Sequence, residues 1–224
     1  MVKRGRAARG SLAPPPLVVT PCSIPATPDL DPQDWELVEE SLSRCVLEVT
    51  DTDETRKVWP HRFRCRCTVQ LQGGKLRWEL EVTNTSATDF AFTCGIHSYF
   101  ATSDVDRLRL TGPFKGSTRT DRKADPPASV SHPSEEVRIR AFTDDIYAGP
   151  GLPGTITLHD PALPPLDVVG GGGWRDVVVW NPHGDHALGY KAFVCVESVA
   201  ARRVVVRPAA CWAATLELTS NPIA

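Results

Sequence analysis

Residues 62–84 read RFRCRCTVQLQGGKLRWELEVTN, and their pattern is the clearest indication of secondary structure in the chain. Apolar and polar residues alternate on both sides of Gly73-Gly74, which is the pattern of a β-hairpin with one buried face and one wet face. Two adjacent glycines suit the tight turn, because they adopt left-handed backbone conformations without strain. The residues predicted to face the core are Phe63, Cys65, Cys67, Val69, Leu71, Leu76, Trp78, Leu80 and Val82.

From Trp35 onward the chain continues in short strand-like runs separated by loops rich in proline and glycine. No window carries a sustained 3.6-residue apolar repeat, so helix is predicted to be scarce. The pattern predicts an all-β fold, a large antiparallel β-sandwich formed by residues 34–224 as one domain. Strands are predicted at residues 90–94, 107–110, 137–142, 155–158, 177–180, 193–199, 203–207 and 212–218, and loops at residues 125–133, 149–154, 161–165 and 170–173.

Residues 1–33 differ in composition from the rest. Four basic residues fall within the first nine positions, no acidic residue precedes Asp29, and seven of the 20 prolines lie in this stretch. Such a segment buries too little apolar surface to offset the entropy of ordering, so it is predicted to be disordered. An organelle transit peptide and an error in the predicted start of the gene are the alternatives left open.

The bulk composition limits the classes of partner. A net charge of −2 over 224 residues gives no electrostatic basis for binding nucleic acid or a membrane surface. No apolar run approaches the ~20 residues of a spanning helix, so a soluble protein is predicted. The seven cysteines include no CxxC pair, which favours reduced thiols and a cytoplasmic location, with a plastid or another organelle as the alternative. A monomer is expected.

Two residues stand out as candidates for proton transfer. His97 lies in GIHSYF (95–100) and Glu197 in VCVE (194–197), each a lone titratable group inside an apolar, strand-like stretch. Partly desolvated groups held on rigid strands are what general acid–base chemistry requires. Taken alone, the residues also fit a structural reading: a hydrogen-bonded core histidine and a carboxylate on a solvated strand face.

Six phrases in order resemble the aldose 1-epimerase (mutarotase) family, and in particular its hexose-6-phosphate branch, glucose-6-phosphate 1-epimerase. The resemblance covers roughly residues 40–220, and the VWNP and VCVE phrases are the ones most similar to that branch. The phrases are WPHRF (59–63), VTN (82–84), HSYF (97–100) followed by GPFKG (112–116), TDDIY (143–147), VWNP (179–182) and VCVE (194–197).

The resemblance implies a galactose mutarotase-like β-sandwich that interconverts the α and β anomers of a sugar without cofactor or metal. It implies that His97 is the general acid, that Glu197 is the general base and that Asp144 binds the sugar. The implied partner is a small-molecule sugar phosphate, glucose 6-phosphate. Two rival interpretations remain: a mutarotase of unphosphorylated aldoses, and a catalytically impaired sugar-binding β-sandwich.

The chain departs from the family pattern at its N-terminal side. Members of the family carry further strands there, with a His-Gly-Phe-Ala-Arg type phrase and arginines that hold sugar and phosphate, and no such phrase occurs here. The chain is therefore expected to be N-terminally truncated. Arg62, Lys115 and an anion nest at residues 170–173 are candidate substitutes, with a flexible loop preferred for the glycines. The histidines of residues 183–186 are predicted to lie in a polar loop rather than to bind metal.

Overall fold

The structure is a computed structural model that describes residues 35–221, so the prediction of disorder for residues 1–33 lies outside the described residues. In the described range, sixteen strands are joined by a single α-helix and one 3-10 helix (Tyr190–Ala192). The elements in chain order are β1 (Glu36–Glu40), β2 (Arg44–Thr50), α1 (Asp53–Val58), β3 (Phe63–Gln72), β4 (Lys75–Asn84), β5 (Phe90–Ile96), β6 (Tyr99–Ala101), β7 (Arg109–Thr111), β8 (Thr118–Asp121), β9 (Ala128–Ser131), β10 (Glu136–Val137), β11 (Thr143–Ala148), β12 (Thr155–His159), β13 (Leu166–Gly172), β14 (Asp176–Asn181), β15 (Phe193–Val206) and β16 (Cys211–Ser220).

The strands form two antiparallel sheets, which confirms the predicted β-sandwich. One sheet has nine strands in the order β1-β2-β3-β4-β16-β13-β12-β7-β10, and the other has the order β5-β15-β14-β11-β8-β9 with β6 also paired to β15. A single apolar cluster contains buried residues of both sheets, among them Leu80 of β4 and Val179 of β14. No helix among the described residues is long and apolar enough to cross a membrane.

The hairpin predicted at residues 62–84 is confirmed, but Leu71, predicted to face the core, is 58% exposed beside the turn. β3 and β4 pair over their full length, and Leu71 lies opposite Leu76 beside the turn. Phe63, Cys65 and Cys67 are each at most 5% exposed, so both cysteines are core residues as predicted. The local alternation of apolar and polar residues is enough to determine this element, because the buried and wet faces are set by the period of two.

The turn of this hairpin depends on positive backbone φ angles. Gly74 has φ +77°, and a Cβ added there meets nothing within 4 Å. Gly74→Ala is therefore expected to lower the free energy of unfolding by about 1–2 kcal/mol through backbone strain alone. Gly74→Asn is the matched control and should lose less, because asparagine tolerates this conformation. Urea denaturation measures both, and equal losses would contradict the argument.

Three sequence predictions are wrong in detail. Residues 138–142 form no strand, since β10 ends at Val137. The predicted loop at 125–133 contains β9, which pairs with β8. The predicted glycine loop is mostly part of β13, where residues 170–172 pair with β16.

Long-range packing explains the glycine run. A Cβ at Gly173 would lie 2.1 Å from Nε1 of Trp212, and one at Gly170 would lie 2.6 Å from Cγ of Pro153. Glycine at these positions allows β13 to approach its neighbours closely rather than to form a flexible loop. Because these glycines do not form a free loop, they do not provide the loop-borne anion nest considered for residues 170–173.

Candidate active site

β15 runs through the seven-stranded sheet and presents two different faces. Val196 pairs with Val179 of β14, and both side chains belong to the apolar core between the sheets. Because side chains alternate along a strand, Glu197 and its partner Val178 face away from that core. Cys195 lies two residues before Glu197 on the same face. We name this outward surface of the seven-stranded sheet the site face.

An interruption between two strands positions His97. β5 ends at Ile96 and β6 begins at Tyr99, and both strands pair with the same side of β15. The backbone N–H of Ser98 donates back to the carbonyl of Ile96 at 3.1 Å, so the chain makes a tight turn at His97. The N–H of Val196 then donates to the carbonyl of Ser98 at 3.3 Å, which fastens the turn to β15.

The structure brings His97 and Glu197 together, although they are 100 residues apart in the chain. Nε2 of His97 lies 3.4 Å from Oε1 of Glu197. The His97 side chain is 33% exposed and the Glu197 side chain 11% exposed, so the pair is open to a ligand from the histidine side. Nδ1 of His97 is buried and has no hydrogen-bond partner among the described residues.

Aromatic rings surround the pair on the site face. The ring of Tyr99 stacks on that of His97 with a centroid separation of 4.7 Å and an interplanar angle of 12°. Trp180 lies edge-on to His97 at 5.9 Å, and Phe193 lies 5.9 Å from Trp180. All of these rings are partly exposed. Partly exposed rings offer apolar contact area to the C–H face of a sugar ring.

Asp144 also lies on the site face, since it pairs across the sheet with Trp180, which pairs with Cys195. Its carboxylate accepts hydrogen bonds from Arg122: Nε donates to Oδ1 at 2.8 Å, and Nη2 donates to the same oxygen. The backbone N–H of Arg122 donates to the carbonyl of Asp144 at 3.0 Å, which holds the two residues side by side.

Sequence reasoning missed Arg122 and the two rings of Tyr99 and Phe193. Phe193 could have been found, because the alternation along one strand places it on the same face as Cys195 and Glu197. Arg122 gives no such signal, because its approach to Asp144 depends on how β8 pairs with β11.

The surroundings shift the pKa values of the pair in opposite directions. Burial raises the pKa of Glu197 to about 7, with the positive charge of Arg122 opposing the rise and the negative charge of Asp144 adding to it. Burial lowers the pKa of His97 below its ordinary value. Between the lowered pKa of His97 and about pH 7, the pair therefore holds one proton in total.

Removing the charge of Arg122 should move the titration of His97. Arg122 lowers the pKa of His97, so Arg122→Gln is expected to raise it, and the acid limb of any pH–rate profile should move to higher pH. NMR titration of the His97 ring protons, assigned with the His97→Asn variant, measures this without requiring activity. Arg109→Gln, which removes a cation from β7 of the other sheet, is the matched control; an equal shift there would contradict the assignment.

The other residues that the sequence drew attention to lie away from this site. Arg62 is exposed just before β3, in the nine-stranded sheet. Lys115 lines a groove of about 840 Å³ beside β7 and β12, whose lining includes neither His97 nor Glu197. His183 lies in the loop after β14, where its Nε2 is 2.6 Å from Oδ1 of Asp106. His61 packs against Trp59 with ring centroids 5.0 Å apart.

Comparison with solved structures shows which known fold this chain has. The galactose mutarotase related enzyme from Lactobacillus acidophilus superposes with a TM-score of 0.71 at 17% identity, over 85% of this chain and 72% of that chain. A structure titled "putative mutarotase" from Salmonella typhimurium superposes with a TM-score of 0.70 at 26% identity, over 85% of this chain and 66% of that chain. The fold is therefore a galactose mutarotase-like β-sandwich.

The chain belongs to the aldose 1-epimerase family, whose model matches residues 28–219. Its curated relatives include proteins named "Putative glucose-6-phosphate 1-epimerase". The protein from Cenchrus ciliaris is 27% identical over 79% of this chain and 56% of its own length. The protein from Escherichia coli is 30% identical over 68% of this chain and 51% of its own length. The chain thus spans about half the length of the curated relatives it matches.

Proposed function

We propose that this chain interconverts the α and β anomers of a hexose 6-phosphate, with glucose 6-phosphate as the expected substrate. The observation that carries the proposal is the pairing of His97 with Glu197 on an aromatic-lined surface, with 3.4 Å between Nε2 and Oε1. Membership of the aldose 1-epimerase family supports the reaction class, and the names of the curated relatives support the phosphorylated substrate.

Opening of a pyranose ring requires two proton transfers at one carbon. In the proposed reaction, Glu197 removes the proton from the anomeric hydroxyl while His97 donates a proton to the ring oxygen. The two oxygens are bonded to the same carbon, so the acid and the base that serve them must lie close together, as His97 and Glu197 do. The C–O bond of the ring breaks and the anomeric carbon becomes an aldehyde.

Reclosure completes the reaction. The C1–C2 bond of the open aldehyde rotates, the former ring hydroxyl attacks the other face of the carbonyl, and both protons return. The pair thus begins and ends each turnover with one proton, on His97. The opposed pKa shifts of Glu197 and His97 favour the other placement of that proton, on Glu197, which is the distribution reached while the ring is open. Asp144, held by Arg122, accepts hydrogen bonds from sugar hydroxyls beside the pair.

The direct test is proton NMR of glucose 6-phosphate with the purified chain, using saturation transfer between the α and β anomeric signals. Exchange faster than in buffer supports the proposal. Parallel measurements with free glucose and free galactose identify the substrate class. Equal or faster exchange of the free sugars would mean that the chain is a mutarotase of unphosphorylated aldoses instead.

One observation favours a second candidate, a sugar-binding β-sandwich that does not turn over. The chain spans about half the length of its curated relatives, so a large part of each relative has no counterpart in the matched region. Saturation-transfer difference signals from bound sugar, together with anomeric exchange at the buffer rate, would identify a binding domain. A folded chain that neither binds nor converts sugar would contradict both candidates.

A further inference from the structure

The site face carries a third metal-binding group beside the His97–Glu197 pair. Cys195 precedes Glu197 by two residues on β15, and its neighbour across the sheet on the other side is Tyr99 of β6. One ligand atom each from His97, Cys195 and Glu197 lies within 4.8 Å of the other two. No part of the proposed sugar reaction uses the thiol, which is completely buried.

We propose that these three residues form a site for Zn²⁺ and that the bound ion inhibits the enzyme by occupying both the general acid and the general base. The proposal rests on the proposed function and extends it. Zinc here is an inhibitor and not a cofactor of the reaction, because it competes with protons for the side chains of His97 and Glu197.

The geometry is close to that of a zinc site. A tetrahedral ion with bonds of about 2.0–2.3 Å separates its ligand atoms by roughly 3.5 Å. The distance between His97 Nε2 and Glu197 Oε1 is 3.4 Å, so these two atoms already have the required spacing. The sulfur, within 4.8 Å of both, needs a movement of about one ångström.

The ligand set also fits zinc. Imidazole, thiolate and carboxylate are its ordinary protein ligands, and three of them leave a fourth position for water or a sugar oxygen. Two ligands lie on the same strand two residues apart, and the third is held by the turn between β5 and β6, so the backbone need not reorganise. Burial raises the pKa of the Cys195 thiol, so the ion must displace its proton, as coordinating metals do.

Cobalt substitution tests the site without reference to activity. The full chain carrying Cys22→Ser and Cys211→Ser, which removes a thiol outside the described residues and the exposed thiol of β16, is titrated with Co²⁺. One equivalent should produce a thiolate-to-cobalt charge-transfer band in the near ultraviolet, and excess Zn²⁺ should abolish it. The band should be absent in Cys195→Ala and Cys195→Ser, and weakened in His97→Asn, each checked for folding by circular dichroism.

Wild-type protein provides a readout that needs no variant. X-ray absorption of the zinc-loaded chain should show one sulfur at about 2.3 Å together with nitrogen and oxygen at about 2.0 Å. A folded chain without the cobalt band, a band that survives in a folded Cys195 variant, or a zinc environment without sulfur would overturn the proposal.

Inhibition is measured separately, so that failure of the proposed function and failure of the zinc site are distinguishable. Anomerisation of glucose 6-phosphate should fall with added Zn²⁺ and recover with a chelator. The inhibiting concentration, referred to the metal-free rate of each variant, should rise by about tenfold or more in Cys195→Ala, because even the loss of an outer-shell partner of a metal ligand costs about 10–100-fold in affinity. A cobalt band in a chain without mutarotase activity would support the metal site and contradict the proposed enzymatic function. Undiminished activity with zinc bound would contradict the proposed inhibition.

Discussion

Glu197→Gln is expected to lower the rate of glucose 6-phosphate anomerisation by on the order of 10²–10⁴-fold, which is the contribution of a well-placed general base. The amide keeps the shape of the side chain but cannot accept the proton of the anomeric hydroxyl at neutral pH. His97→Asn should cause a loss of similar size, because it removes the group proposed to donate to the ring oxygen. Saturation transfer between the anomeric signals measures both variants.

The matched control is Glu81→Gln. Glu81 is a half-buried glutamate on β4, in the nine-stranded sheet, so the same chemical change is made away from the site face. Its rate should equal that of the wild type. The double variant His97→Asn/Glu197→Gln should be little slower than either single variant, because the two groups act as one unit. If both single variants converted sugar at the wild-type rate, the proposed mechanism would be wrong.

Local pattern is sufficient for elements whose stabilising contacts are local in sequence. The hairpin at residues 62–84 follows from a period of two and a pair of glycines, and the structure confirms it. For β15 the sequence predicts two strands, at residues 193–199 and 203–207, with residues 200–202 between them. In the structure the two runs continue as one strand, and the interruption becomes a register shift against β5 between Ala200 and Val204.

Long-range packing is not predictable from the same pattern. Residues 170–172 have the composition of a flexible loop. Nothing in that composition indicates that position 173 requires glycine because the ring of Trp212 leaves no room for a Cβ. The bond between Arg122 and Asp144 depends on the register of β8 against β11. Each of these relationships exists only when distant strands have come together.

The candidate site lies between these two cases. His97 and Glu197 are each visible as lone titratable groups in apolar strands, but nothing in their local sequence indicates that they meet. The resemblance to a family links them, and the structure places their side chains in contact. Their roles in catalysis stay a prediction, as does the binding role of Asp144. The burial that raises the pKa of Glu197 arises only in the folded sheet.

That burial has a consequence for stability that is independent of catalysis. Relative to the wild type, Glu197→Gln is expected to gain about 3 kcal/mol of stability as the pH rises from acid to alkaline values. The pKa of Glu197 rises from 4.5 to about 7 on folding, and every tenfold change in the acid dissociation constant corresponds to about 1.4 kcal/mol. Because the folded-state pKa is the higher one, the carboxyl contributes its full stability below about pH 4.5 and loses it as the pH rises through about 7.

Urea denaturation of wild type and Glu197→Gln at pH 4.5 and at pH 8.5 measures the effect. The difference in unfolding free energy between the two proteins should move in favour of the variant by about 3 kcal/mol from the lower to the higher pH. Taking the difference cancels the other titrating groups. Glu81→Gln should show no comparable gain, since its side chain lies outside the site face. A Glu197→Gln difference that stayed constant with pH would mean that the carboxylate is well solvated in the folded protein, and the one-proton pair proposed for catalysis would lose its physical basis.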